Sequence, residues 1–130
     1  MTIRLTVLFL FAITLLTPTA SAHHNMSAIF DFNDRVTLNG TLSKLDWRNP
    51  HIEILVDAKR DNGQIESWKA EGPTPLFFRG RDTSREDFEK TLGKPVKFEV
   101  SRARDGSRWG LLRNITLLDG KVVNLCPENC

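Results

Sequence analysis

Short runs in which apolar and polar residues alternate one for one, each closed by a glycine-bearing turn, direct this chain toward an antiparallel sheet. Val36, Leu38, Gly40 and Leu42 interleave with Thr37, Asn39, Thr41 and Ser43. That period of two puts one face of a strand inward and the other in water. Gly40 inside the run predicts a bulge or a sharp bend of the kind small barrels use. Ile52, Ile54, Val56 and Ala58 repeat the pattern, and Asp61-Asn62-Gly63 predicts a hairpin, because Asn and Gly tolerate positive φ. The return strand falls near residues 64–71, with Trp68 and Ala70 on one face. Alternation resumes at Val96, Phe98 and Val100, then again over residues 111–118, and Asp119-Gly120 turns into Val122 and Val123.

Between the third and fourth main strands the pattern changes. Gly72-Pro73-Thr74-Pro75 breaks the sheet, and Leu76-Phe77-Phe78 predicts a short helical turn. Residues 83–93 read as one short helix: a hydroxyl at its start, acids in its first turn, and Gly93 at its end. Phe88 and Leu92, four apart, are expected to face the core. Five or six short strands with one helix before the fourth main strand predict an all-β dominated fold. The expected architecture is a small antiparallel OB-like β-barrel.

The first 22 residues are expected to stand outside this domain. Arg4 precedes the apolar run Leu5–Leu16, and Ala20-Ser21-Ala22 is a small-residue cleavage signature, so residues 1–22 read as an export signal. The run is shorter than the roughly 20 residues a spanning helix needs, so the processed chain is not expected to span a membrane. No cysteine lies near the cleavage site to carry a lipid. Residues 23–130 then form a single periplasmic or secreted domain of about 100 residues with one modest core. Losing Arg4 lowers the formal net charge of +2 by one. Such a near-neutral balance gives no support to a nucleic-acid partner.

Cleavage after Ala22 would make His23 the first residue, joining a free α-amino group to an imidazole. The α-amino pKa of about 7.7 to 8.0 leaves a useful fraction deprotonated near neutrality. The amine and Nδ1 of His23 can chelate one ion, and His24 or His51 can add a third nitrogen. Such a set suits copper, and imidazole also suits zinc and nickel. Met26 offers a thioether for Cu(I), and Asp31 a carboxylate to orient an imidazole. The alternative is that the two leading histidines are incidental and His51 is structural, hydrogen bonded at a strand mouth.

Other groups offer weaker signals. Arg102, Arg104, Arg108 and Trp109 surround the Asp105-Gly106 turn, where a basic loop beside an aromatic can hold an anion or a stacked ring, or simply be solvated. Trp47 is a candidate for ligand lining or for core packing. Cys126 and Cys130 are expected to pair as a small disulfide in an oxidising compartment, with a thiolate metal site the other reading. There is no Gly-x-Ser-x-Gly elbow, phosphate loop or His-Glu-x-x-His pair to suggest an enzyme.

The order of motifs resembles a family of small exported bacterial proteins of unknown function. The resemblance rests on Ala22-His23-His24, Phe30-Asp31, Gly40-Thr41 and, above all, Trp47-Arg48-Asn49-Pro50-His51. Trp68, Pro75-Leu76, Gly80, Leu92-Gly93 and Asp105-Gly106 follow in the family's order. Arg81, where an aromatic is common, and the Cys-Pro-Glu-Asn-Cys tail depart from it. The resemblance implies an exported β-rich domain and carries no activity or cofactor. Two functions follow as expectations. One is an exported binding module for a protein, envelope or small-molecule partner; the other is a copper-binding protein built on His23, His24 and His51.

Overall fold

The computed structural model describes residues 26–125, so His23, His24, Cys126 and Cys130 lie outside the described residues. Six strands form one sheet: β1 (Phe30–Asp46), β2 (Glu53–Lys59), β3 (Ile65–Glu71), β4 (Pro95–Ala103), β5 (Trp109–Thr116) and β6 (Val122–Asn124). Their order is β3-β2-β1-β4-β5-β6, and a parallel pairing of β3 with β5 closes the first five into a ring. All other pairings are antiparallel. The all-β dominated, OB-like arrangement expected from the alternation is present, as a closed ring with one helix of two turns.

Ring closure depends on the long first strand. β1 pairs with β4 from Phe30 to Thr41 and with β2 from Gly40 to Asp46. Gly40 and Thr41 alone are paired on both sides, so they mark where the strand passes from one half of the ring to the other. Gly40 is required there by space. A Cβ at this position would sit 2.6 Å from the Asp57 carbonyl oxygen, 2.8 Å from Cγ1 of Val56 and 2.9 Å from Cα of Ala58. The bulge expected at Gly40 lies instead at Ser43, between the paired residues Leu42 and Lys44. Glycine admits the crossing, and the bulge that follows re-aims the strand.

The β2–β3 hairpin turns through Asp61-Asn62-Gly63, with Gly63 at φ 83° and the Arg60 amide donating to the Gln64 carbonyl at 2.8 Å. A single helical turn, α1 (Met26–Ile29), precedes β1, and a 3₁₀ turn (Pro75–Phe78) follows β3. The main helix α2 (Arg85–Thr91) begins on a capping box. The Ser84 amide donates to Asp87 Oδ2 at 2.7 Å, which holds the Asp87 carboxyl below its ordinary range.

Phe88 is fully buried as expected, but Leu92 is 40% exposed, contrary to its expected core position. The helix has ended there: Leu92 is extended (φ −57°, ψ 132°) and Gly93 turns at φ 74°, so the four-residue spacing no longer applies. Thr91 takes the buried place, its hydroxyl satisfied by the Asp87 carbonyl at 2.9 Å.

The core fills the ring with Leu42, Ile54, Val56, Phe98, Val100 and Ile115. A second small cluster of Phe30, Ala103 and Leu111 lies beside it, with Met26, Ile29 and Trp109 packed against it. Because the crossing leaves no room for a methyl group, Gly40→Ala should lower unfolding free energy by about 1–3 kcal/mol. Urea denaturation checks this: an unchanged midpoint would show that β1 does not need the close approach.

Candidate functional site

The connection from β1 to β2 carries Trp47-Arg48-Asn49-Pro50-His51, with a cis peptide between Asn49 and Pro50. Its far end is stapled to the chain just past β3. The Ile52 amide donates to the Pro73 carbonyl at 2.9 Å, and the Gly72 amide donates to the Ile52 carbonyl at 2.8 Å. Gly72 has no space for a side chain, since a Cβ would meet Ile52 Cγ1 at 2.7 Å. Ile52 is fully buried, so alternation turns His51 and Glu53 to the outer face. Glu53 pairs directly with Glu71 across the strands. Two like charges placed opposite each other are destabilising unless each finds a partner. Lys69 Nζ bonds Glu53 Oε1 at 2.7 Å, and His51 Nδ1 bonds Glu71 Oε1 in a short contact.

The His51–Glu71 pair is the chemical centre of the site. Glu71 is 8% exposed, so its carboxylate has little water of its own. A carboxylate only accepts, so Nδ1 donates, and in the neutral ring Nε2 is left with its lone pair. The His51 side chain is 28% exposed and lines an open cleft of ≈ 300 Å³ together with Glu71. This is the arrangement in which a carboxylate fixes the tautomer and orientation of a metal-binding imidazole. The same arrangement also poises a base. The other walls are Ile29 from α1, Lys69 and Trp109. Lys69 Nζ stands 5.0 Å from the Trp109 ring, whose edge-to-face contact with Phe30 at 4.9 Å fixes it from behind.

The candidates read from the sequence divide among several places. His51 is in the cleft, and Trp109 joins it there. Met26 packs on the Phe30 cluster against which Trp109 also rests. Trp47 faces the interior, 4.5 Å from Phe78 and 5.4 Å from Phe88, so its ring is used in packing. Arg102, Arg104 and Arg108 line a different groove of ≈ 530 Å³, which Trp109 does not line. Each arginine there meets an acid. Arg102 makes a bidentate pair with Asp34 at 2.9 and 2.7 Å, Arg104 reaches Asp31 at 3.2 Å, and Arg108 reaches Glu66 at 2.6 Å. Asp31 is thus occupied by Arg104, and the role of orienting a histidine falls to Glu71. Among the described residues, no three of His, Cys, Asp and Glu converge to hold a metal ion. Glu71 was missed in the sequence because it pairs with His51 only through the β2–β3 register. The local signal was an acid immediately after the inward residue Ala70.

A model of a family of unknown function, DUF6152, matches residues 12–114. The chain belongs to the DUF6152 family. Membership covers the strand-and-loop segment that builds the cleft, including Trp47–His51 and Glu71. No curated protein and no solved structure matches the chain. No helix among the described residues is long and apolar enough to cross a membrane.

Removing the Glu71 carboxylate should free the imidazole to rotate and exchange tautomers. In long-range ¹⁵N–¹H spectra at about pH 8, the wild-type His51 should show Nε2 as the unprotonated nitrogen, and Glu71→Ala should show mixed tautomers. A single unchanged tautomer in Glu71→Ala would show that the carboxylate does not set it.

Proposed function

We propose that this protein is an exported binding module whose ligand site is the His51 cleft, and that its ligand is a transition-metal ion, copper foremost. The observation that carries this reading is the Glu71 carboxylate on Nδ1 of His51, which leaves Nε2 as the donor of a histidine that lines an open cleft. Imidazole nitrogen is a good ligand for copper, zinc and nickel. One imidazole is not a site, so further donors must come from elsewhere in the chain.

The start of the processed chain supplies them. Ile29 lines the cleft, and α1 begins at Met26, two residues after His24. His24 and His23 stand two and three positions before Met26 in the sequence. In this reading the His23 amine and imidazole, with or without His24, complete the coordination begun by His51. Cleavage at Ala22 leaves that amine free in the exported protein. Binding or delivery of the ion fits better than catalysis, because the charged walls of the cleft, Arg48, Glu53, Lys69 and Glu71, each have a partner.

The natively processed protein should bind one equivalent of Cu(II) with a nitrogen-rich EPR signal. His51→Ala and acetylation of the His23 amine should each weaken binding, and Glu71→Gln should weaken it by about 10- to 100-fold. Copper affinity that is the same in His51→Ala as in the wild type would remove the cleft from the site.

A further inference from the structure

The arginine-lined groove shares no lining residue with the His51 cleft and has its own logic. Glu66 has a nearly buried side chain, 11% exposed, and its Oε1 receives both Arg60 Nε at 2.5 Å and Arg108 Nη2 at 2.6 Å. Two guanidiniums share one carboxylate, so one positive charge is left over at this point. Both arginines are 55% exposed, and each has further N–H donors beyond the one it gives to Glu66. The neighbouring arginine, Arg102, is neutralised by its bidentate bond to Asp34. Glu66 therefore acts as an anchor that aims two arginines outward together. Trp68 lies behind them, 7% exposed, and its indole Nε1 has no acceptor among the described residues.

This point opens onto a second stretch of groove, ≈ 590 Å³, which shares Arg60, Glu66, Trp68 and Arg102 with the first. Its far wall is β1, where the strand is paired on one side only among the described residues. From Phe30 to Asn39, β1 has β4 as a partner, and pairing with β2 begins only at Gly40. The Leu42 amide and carbonyl both bond the Gly93–Lys94 segment that leads into β4. Counting back by twos over the regular β1–β4 register, Thr37 and Asn39 turn their N–H and C=O groups to the open side. Val36 and Leu38 are half-buried beside them and line the groove. An unpaired strand edge above an apolar floor is a template for an added strand.

We propose that this groove takes the C-terminal end of an extended peptide, its backbone added to the open edge of β1 at Thr37 and Asn39 and its terminal carboxylate held by Arg60 and Arg108. Charge decides the occupant. The surplus guanidinium charge matches one carboxylate, and a forked pair of arginines matches its two oxygens. The peptide's inward side chains rest on Val36, Leu38 and Ala58.

The test is fluorescence anisotropy on the natively processed protein in excess EDTA, so that the result does not depend on the metal reading. The probe is a labelled Thr-Val alternating hexapeptide with a free C-terminal carboxylate, compared with its C-terminal amide and with octanoate as competitor. The acid form should bind saturably, and the amide at least about tenfold more weakly. The variant Arg60→Ala/Arg108→Ala should lose a similar factor while keeping the wild-type melting temperature to within a few degrees. Thr37→Pro removes an N–H that the β1–β4 ladder does not use, so it should fold and still lose binding. No saturable binding, equal affinity for acid and amide, or octanoate competing while Thr37→Pro binds normally would each overturn the proposal. A dimer joined through β1 in sedimentation would overturn it as well, since a second copy would then hold the edge.

Discussion

Three residue pairs hold the ring shut. Lys69 with Trp109, Ala70 with Gly110, and Glu71 with Leu111 are the whole of the parallel contact between β3 and β5. Parallel pairing is slightly weaker per residue than antiparallel, so a contact this short adds little by itself. On the other edge of β5, Gly110 lets β4 approach closely, because a Cβ there would stand 2.6 Å from Val100 Cβ and 3.1 Å from the Ser101 carbonyl oxygen. The Lys69 amide extends the contact by donating to the Arg108 carbonyl at 2.9 Å. The same closure brings Trp109 beside Lys69 and sets Glu71 at the end of β3, under the loop that carries His51. Without it the cleft would lose the wall that Trp109 supplies.

The two grooves follow from strand alternation on either side of that closure. Arg108 and Trp109 are neighbours in the chain but face different clefts. The same holds for Trp68 and Lys69 on β3, one plugging the interior and the other reaching Glu53. Charge is arranged differently in each. In the His51 cleft, two glutamates that the register places opposite each other each have their own partner, Lys69 for Glu53 and the His51 imidazole for Glu71. In the Trp68 groove, one nearly buried glutamate gathers two arginines, and the Arg108 guanidinium holds the Glu66 carboxyl below its ordinary range.

Much of the fold could be read from residues whose signals are local. Alternation at Val36–Leu42 and Val96–Val100, the Asn62-Gly63 turn and the Ser84–Asp87 cap each specify their element from a few neighbours. Leu92 was misplaced because spacing alone does not reveal that a helix stops one residue earlier. Gly40 was expected to mark a bulge or a sharp bend: its role is to let β1 touch β2 and β4 together, which depends on partners 18 and 56 residues away in the pairings Gly40–Ala58 and Gly40–Val96. The site was legible to the extent that His51 stood out in its motif. Glu71 was not, because its meaning comes from the register that sets Glu53 against it. The arginines around Asp105-Gly106 were visible as a basic loop, whereas their acidic partners Asp31, Asp34 and Glu66 come from two other strands or their edges.

If His51 is a ligand, its metal-binding atom is already decided by Glu71, and the ion must sit on the cleft side of the ring. Anomalous diffraction at the copper edge, from crystals of the natively processed protein grown with one equivalent of Cu(II), tests that directly. The expected result is a single peak about 2.0–2.1 Å from His51 Nε2, with Glu71 still bonded to Nδ1. A peak remote from His51, or one bound to Nδ1 with the Glu71 contact broken, would contradict it.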